Sequence, residues 1–383
     1  MTPKERTMAA FDHRPTDRVP VFHAGFSSRA ASYVLGREAY VGGGIQQWRE
    51  ARALWDGPDA HAEYLSRSRQ DAFDLTRVLD QDLVRTAYWR MAERPSKKID
   101  ERTYLYGDPG GTYRVMQADP DTELYQIIDA STGPEPTMED LEREVEKAEE
   151  ALAAAKNSPP GAQGHETERA AMEVFPDRAV RGGGTSLNID YRRPIWLEAV
   201  ALRPDLVARS FDAQVERSLR SIPAQKAIGL RLLAGGGDFA SNKGPFYSPK
   251  FFHEVTLPRW KRIVDECHRH ECYCLFASDG DLWLVADDLF GATGMDGFFE
   301  IDGRAGMDLR GLRARFPHLT LMGGISSHTL HTGTPEQVEA ETLDAIQAAR
   351  DCGSILVGCS NQVVSQTPPE NLLAMVRTLE ENR

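Results

Sequence analysis

The sequence has no apolar run approaching the roughly 20 residues a helix needs to cross a bilayer. Its start, Met1-Thr2-Pro3-Lys4-Glu5-Arg6, is polar, unlike the opening of a secretory signal. Five cysteines, three of them at 267, 272 and 274, form no disulfide framework. Basic residues are outnumbered, 45 Lys and Arg against 58 Asp and Glu, and no basic stripe runs along any segment. Nucleic acid is therefore not an expected partner, because phosphate backbones are held by clustered cations. The glycine triplets at 42–44, 182–184 and 235–237 fit neither the phosphate-binding G-x-x-x-x-G-K-[ST] pattern nor a dinucleotide G-x-G-x-x-G turn, and read as loop hinges. These absences leave a reduced, cytoplasmic enzyme with no membrane partner as the expected class. With 41% hydrophobic content in 383 residues, the chain has material for a sizeable core.

What is there is most legible near the C-terminal end. Leu319-Thr320-Leu321-Met322 is a buried run that breaks at Gly323-Gly324-Ile325, and a helix then starts at Thr334-Pro335-Glu336-Gln337. Ser354-Ile355-Leu356-Val357 runs into Gly358-Cys359-Ser360-Asn361, and a last helix opens at Thr367-Pro368-Pro369-Glu370. Each helix start offers a threonine cap, a proline in the first turn and a Gln or Glu to complete a capping box. Buried strand, polar loop and capped helix, repeated, is the grammar of a parallel βα array. In such arrays the loops after the strands carry the chemistry.

The same rhythm extends upstream. Residues 3–12 read as a short amphipathic helix, and Arg18-Val19-Pro20-Val21-Phe22 as a first strand that delivers His23 into a loop. Helical character follows at 37–56 and 59–73. Residues 103–128 suggest a β-hairpin turning at Gly107-Asp108-Pro109-Gly110-Gly111. A charged helix from Thr137 to about Lys156 leads into a flexible polar stretch at 157–162, so 134–170 reads as a surface insertion. From 179 onward, strands at 230–234, 272–277 and 297–300 alternate with helices. The count comes to roughly eight βα units, which predicts one (β/α)8 TIM-type barrel domain over 1–383, with a hairpin decoration and a charged helical insertion.

Several short segments, in order and over most of the chain, resemble the superfamily of uroporphyrinogen decarboxylases and corrinoid-dependent methyltransferases. They are Asp17-Arg18-Val19-Pro20-Val21, Gly236-Gly237-Asp238, Gly244-Pro245-Phe246-Tyr247-Ser248-Pro249, Ser278-Asp279-Gly280-Asp281, Met307-Asp308-Leu309, Gly323-Gly324-Ile325, Gly333-Thr334-Pro335-Glu336 and Pro368-Pro369-Glu370-Asn371. True decarboxylases of this group carry an arginine-rich motif after the first strand that clamps the porphyrin carboxylates. Here that place reads His23-Ala24-Gly25-Phe26-Ser27-Ser28-Arg29, with one arginine where a tetrapyrrole of many carboxylates needs several. Asn361 stands where the family has a histidine. The resemblance therefore implies the methyltransferase branch, whose zinc members carry His-x-Cys after one strand and a Cys after the last. Ala277 and Asp279 occupy the first two of those places, while Cys359 is near the third.

Asp279 follows a buried strand at the end where barrel sites form; it reads as a general base, a metal ligand or a helix N-cap. Glu300 ends the next strand, and a carboxylate emerging from an apolar run is costly unless paired or metal-bound. Cys359 could join both in a zinc shell of mixed oxygen and sulfur, or be a small buried hydrophobe. His23 is the first histidine to test for catalysis. Asp238, after its glycines, is expected to line the pocket, the glycines allowing close backbone approach to a ligand. Tyr247, Asn361 and His328 are candidate substrate contacts. His268, His270, Cys272 and Cys274 read as structural. The expectation is a methyltransferase that moves a methyl group from a small O- or N-methylated substrate to a corrinoid protein, with zinc assisting. The alternatives are a decarboxylase acting on a small carboxylate and a non-catalytic barrel that binds a tetrapyrrole or corrinoid.

Overall fold

In the computed structural model, which describes residues 1–86, 89–131, 133, 135–155 and 164–383, seven short strands pair in parallel in chain order: Leu83–Val84, Ala179–Gly182, Leu232–Gly236, Tyr273–Ala277, Gly297–Phe299, Thr320–Ile325 and Ile355–Cys359. The gap between the last and the first is closed by the extended segment at Val21. Val21 bridges Val357 in parallel, the Phe22 N–H donates to the Val357 carbonyl at 3.0 Å, and the Asp82 N–H donates to the Val21 carbonyl at 2.9 Å. That eighth stave completes the expected (β/α)8 barrel.

Period-two alternation sorts the side chains. Phe22, Leu83, Ala179, Leu232, Leu275, Phe299, Met322 and Leu356 pack together inside the barrel. Their neighbours Val21, Val84, Val180, Leu233, Phe276, Phe298, Leu321 and Val357 belong to the larger core beneath the helices. Cys274 lies in that outer core too, as its structural reading requires. Each large apolar side chain fully buried in this way contributes about 1.5–3 kcal/mol. Ala10 and Phe11, at the end of the helix Pro3–Phe11, join the inner cluster. Phe11 meets the Tyr273 ring at 5.2 Å and Thr320 Oγ1 donates to the Ala10 carbonyl, both at strand starts, so the N-terminal end of the barrel is plugged.

The helix signals hold in part. Thr334 and Gln337 form the expected capping box on Pro335–Cys352. Thr367 does not cap: Pro368 takes the cap position of Pro369–Asn382, leaving the threonine one residue too early and its hydroxyl buried without a hydrogen-bond partner. The predicted hairpin is the centre of a four-stranded antiparallel sheet, Lys97–Lys98, Thr103–Gly107, Tyr113–Asp119 and Leu124–Ala130. Tyr104, Tyr106, Met116 and Tyr125 seat it on Ile45 and Ala51 of the helix Gly44–Asp56.

The charged insertion is docked on the barrel's outer layer. Its helix Met138–Ala154 buries Leu141 and Val145, and Glu144 and Glu149 pair with Arg193 and Arg209 at 2.8 and 2.7 Å. Exposed pairs of this kind contribute little, so the two apolar residues carry the attachment. The polar stretch expected at 157–162 lies outside the described residues. No helix among the described residues is long and apolar enough to cross a membrane.

Candidate active site

Continuing the inward alternation by one or two steps past the apolar layer reaches the polar lining of the open end. Leu83 leads to Arg85, Ala179 to Arg181, Ala234 by way of Gly236 to Asp238, and Leu275 by way of Ala277 to Asp279. Arg85, Arg181 and Asp238, with Ser186, Asn188, Phe299 and Glu300, line a cavity of about 310 Å³. This is the carboxyl-terminal end of the strands, where barrels of this kind place their chemistry. The guanidinium of Arg181 lies over the rings of Phe299 and Phe22, at 5.1 and 5.8 Å from their centroids. Such cation–π contacts fix the plane of a buried arginine.

Glu300 reaches the cavity by a different route. Alternation from Phe299 would turn it toward the helices, but its φ of 66° is left-handed and re-aims the side chain. A non-glycine residue held there costs about 1–2 kcal/mol, a strain that concentrates at functional sites. Burial and then the neighbouring Asp279 charge push the Glu300 carboxyl up to about 7, while Arg85 and Arg181 pull it down.

Asp279 is held by Asn361, whose side-chain Nδ2 donates to both carboxylate oxygens at 2.8 Å. Asn361 is itself fixed, because its Oδ1 accepts from the Gln362 N–H at 2.6 Å. Burial raises Asp279 to about 6; the Asn361 hydrogen bonds oppose that rise, and the charges of Asp238 and Asp302 add to it. The mouth thus holds two acids whose pKa values are both raised toward neutrality, as groups that exchange protons near pH 7 require.

Other expected site residues lie elsewhere. Cys359 belongs to the outer core with Val357, not to the inner set with Leu356, and burial pushes its thiol up to about 12. It cannot complete a zinc shell with Asp279 and Glu300. Among the described residues no group of three or more His, Cys, Asp or Glu side chains is placed to hold a metal ion, so the donor set does not fit zinc.

His23, one residue beyond inward-facing Phe22, is also turned outward. Its Nδ1 accepts the Cys359 N–H at 3.1 Å and its own N–H donates to Gln81 Oε1 at 3.0 Å. It staples the first stave to the last, and burial, reinforced by Arg383, lowers its pKa to about 4. Tyr247 is packed on Phe239 and Phe251, with ring centroids 5.5 and 5.2 Å away, in the outer core. Burial raises its phenol. His328 is exposed on the short helix Ser327–Thr332, with its ring against Thr332, and is not part of the cavity lining. The glycines before Asp238 serve packing: a Cβ on Gly235 would lie 1.5 Å from the Thr185 carbonyl oxygen, and one on Gly236 2.3 Å from that of Ala277.

Sequence reasoning therefore places Asp238, Asp279, Glu300 and Asn361 at one mouth, and misses Arg85, Arg181, Ser186 and Asn188. A signal for the arginines exists: Leu83-Val84-Arg85 and Ala179-Val180-Arg181 each set a cation two residues past an inward apolar one.

The uroporphyrinogen decarboxylase (URO-D) family model matches residues 238–382, the part of the chain that carries Asp238, Asp279, Glu300 and Asn361. No curated protein matches the sequence. Among solved structures, a methyltransferase from Methanosarcina mazei is similar with a TM-score of 0.58 and 18% identity, over 100% of this chain and 99% of that one. At that identity the likeness establishes the fold. A candidate vitamin-B12-independent methionine synthase from Listeria monocytogenes is similar at 14% identity and a TM-score of 0.45, over 95% and 99% of the two chains. Residues 238–382 are thus similar to the uroporphyrinogen decarboxylase family, and the barrel as a whole shares its fold with the Methanosarcina methyltransferase.

Proposed function

We propose that this protein is a methyltransferase that moves a methyl group from a small O- or N-methylated compound to a corrinoid carried by a separate protein. The observation that carries the reading is the pair Glu300 and Asp279 at the barrel mouth. When a methyl–oxygen or methyl–nitrogen bond breaks toward a nucleophile, the bonding electrons stay on the heteroatom, which then needs a proton. Glu300, with its pKa near 7, is placed to supply it as a general acid. Burial, with the Asp279 charge added, favours the protonated form of Glu300, and the Asn361 hydrogen bonds favour Asp279 as the anion. Glu300 then regains a proton from solvent through the open mouth. No step is assigned to zinc, because Cys359 faces the helices. The fold shared with the Methanosarcina methyltransferase supports this branch.

One observation favours a second reading, decarboxylation of a small carboxylate: Arg85 and Arg181 stand where they could hold that group, and Glu300 could protonate the carbon left behind. The test is incubation of purified protein with a reduced corrinoid protein and a panel of methoxylated aromatics and methylamines. Cobalt methylation that is lost in E300Q is expected. Carbon dioxide release without cobalt methylation would instead establish the second reading.

A further inference from the structure

From the placement of Arg85 and Arg181 we infer that the substrate is a small monoanion, a carboxylate gripped by both guanidinium groups with its reacting bond turned toward Glu300. The inference rests on the mouth being the substrate site, which both readings above share. It adds the substrate's charge and the residues that select for it.

The register is the first argument. Leu83 pairs with Ala179 and Val84 with Val180 in parallel, so one further step sets Arg85 beside Arg181 on the same inward face. Like charges at neighbouring positions of a sheet repel, and two planar forks side by side form a carboxylate-binding wall. Both side chains are also constrained in place. Arg181 is stacked on Phe299 and Phe22. Arg85 fills the room left by Gly25, where an added Cβ would lie 3.0 Å from its Nη1. A grip built from constrained side chains loses little entropy on binding.

Charge and size agree. The charged groups lining the cavity are Arg85, Arg181, Asp238 and Glu300. With Glu300 in its acid form, Asp238 and the nearby Asp279 balance the two arginines, so an anion is favoured by the pairing of both cations on one wall and not by a net charge. At about 310 Å³ the cavity is at the small end of ligand sites, which run from roughly 300 to 1,000 Å³, and it is open on its solvent side. Ser186 and Asn188 supply neutral hydrogen-bonding groups beside the cations.

The experiment compares acids with their neutral amides by calorimetry on the full chain: 4-methoxybenzoate and methoxyacetate against 4-methoxybenzamide and methoxyacetamide. At least one acid is expected to bind about 10- to 100-fold more tightly than its amide, the range for hydrogen bonds to a charged group. R85Q and R181Q should each erase that preference, bringing acid and amide to similar affinity, and R85K should restore part of it. Thermal unfolding of the variants shows whether they are folded. Equal binding of acid and amide, undiminished acid binding in the double variant, or no binding of any acid at millimolar concentration overturns the inference. Acid-selective binding with no methyl transfer sustains the inference while removing the methyltransferase reading, so the two can fail separately.

Discussion

Both carboxylate oxygens of Asp279 accept a hydrogen bond from the amide of Asn361, each at 2.8 Å. Asn361 therefore does for Asp279 what a cation would do elsewhere: it favours the charged form without adding charge. In N361A the opposing hydrogen bonds vanish and burial acts unopposed, with the charges of Asp238 and Asp302 on its side, so Asp279 should titrate above its present value of about 6. A lost hydrogen bond to a charged group is worth about 1.5–3 kcal/mol, so the acidic limb of the pH–rate profile should move up by about one unit or more. An unmoved limb would remove Asp279 from the chemistry.

Glu300 makes opposite predictions for rate and for stability. As the proposed general acid, with a pKa of about 7, it would act below that pH and fail above it, so activity should decline on the alkaline side of neutrality. E300Q should lower the turnover number by about 10²- to 10⁴-fold and abolish that limb. Because the folded pKa is raised above the unfolded value, its contribution to stability is full below about 4.5 and is lost as pH rises through about 7. E300Q should therefore flatten the fall in melting temperature between pH 5 and 8. E300G, which also relieves the left-handed φ, should release about 1 kcal/mol of strain while leaving the enzyme inactive.

His23 has the reverse sign. Its pKa is depressed to about 4 by burial, so its contribution to stability is present above 6.5 and is lost as pH falls toward 4. H23Q can still offer an oxygen to the Cys359 N–H but cannot titrate. Thermal melts at pH 7 and pH 4.5 should therefore differ less for H23Q than for the native protein, with activity per folded molecule kept within a few-fold. A complete loss of activity in folded H23Q would return His23 to the catalytic set.

Cys359 is expected to resist iodoacetamide in the native state, since burial holds its thiol near 12 and the thiolate is the reactive form. C359S replaces a small hydrophobe by a hydroxyl in an apolar setting and should cost about 1–3 kcal/mol in denaturant unfolding. Turnover should be unaffected. Loss of a stoichiometric metal in C359S, measured by elemental analysis, would contradict the outward placement of the thiol.

The barrel is readable in the sequence wherever strand, loop and cap recur, above all from Leu319 to Glu370. Asp238 and Asp279 are readable there too, because each follows an apolar run by a step or two. Facing direction is harder. Whether a residue at a strand end looks into the mouth depends on its parity with the inner layer, and the layer is known only from packing. His23 is one residue past Phe22 and Cys359 three past Leu356, an odd step that turns each outward. Glu300 also has outward parity and reaches the cavity because of a backbone angle that tertiary contacts impose. Arg85 follows a strand of only two residues, Leu83–Val84, so its step of two past Leu83 becomes a signal only once that leucine is known to face inward.

Gly25 leaves the tip of Arg85 its present place: a Cβ there would lie 3.0 Å from Nη1, close enough to displace the guanidinium by a few tenths of an ångström. G25A is therefore a way to nudge one cation of the mouth without removing it, and an altered grip on acids in an intact barrel is the consequence to look for.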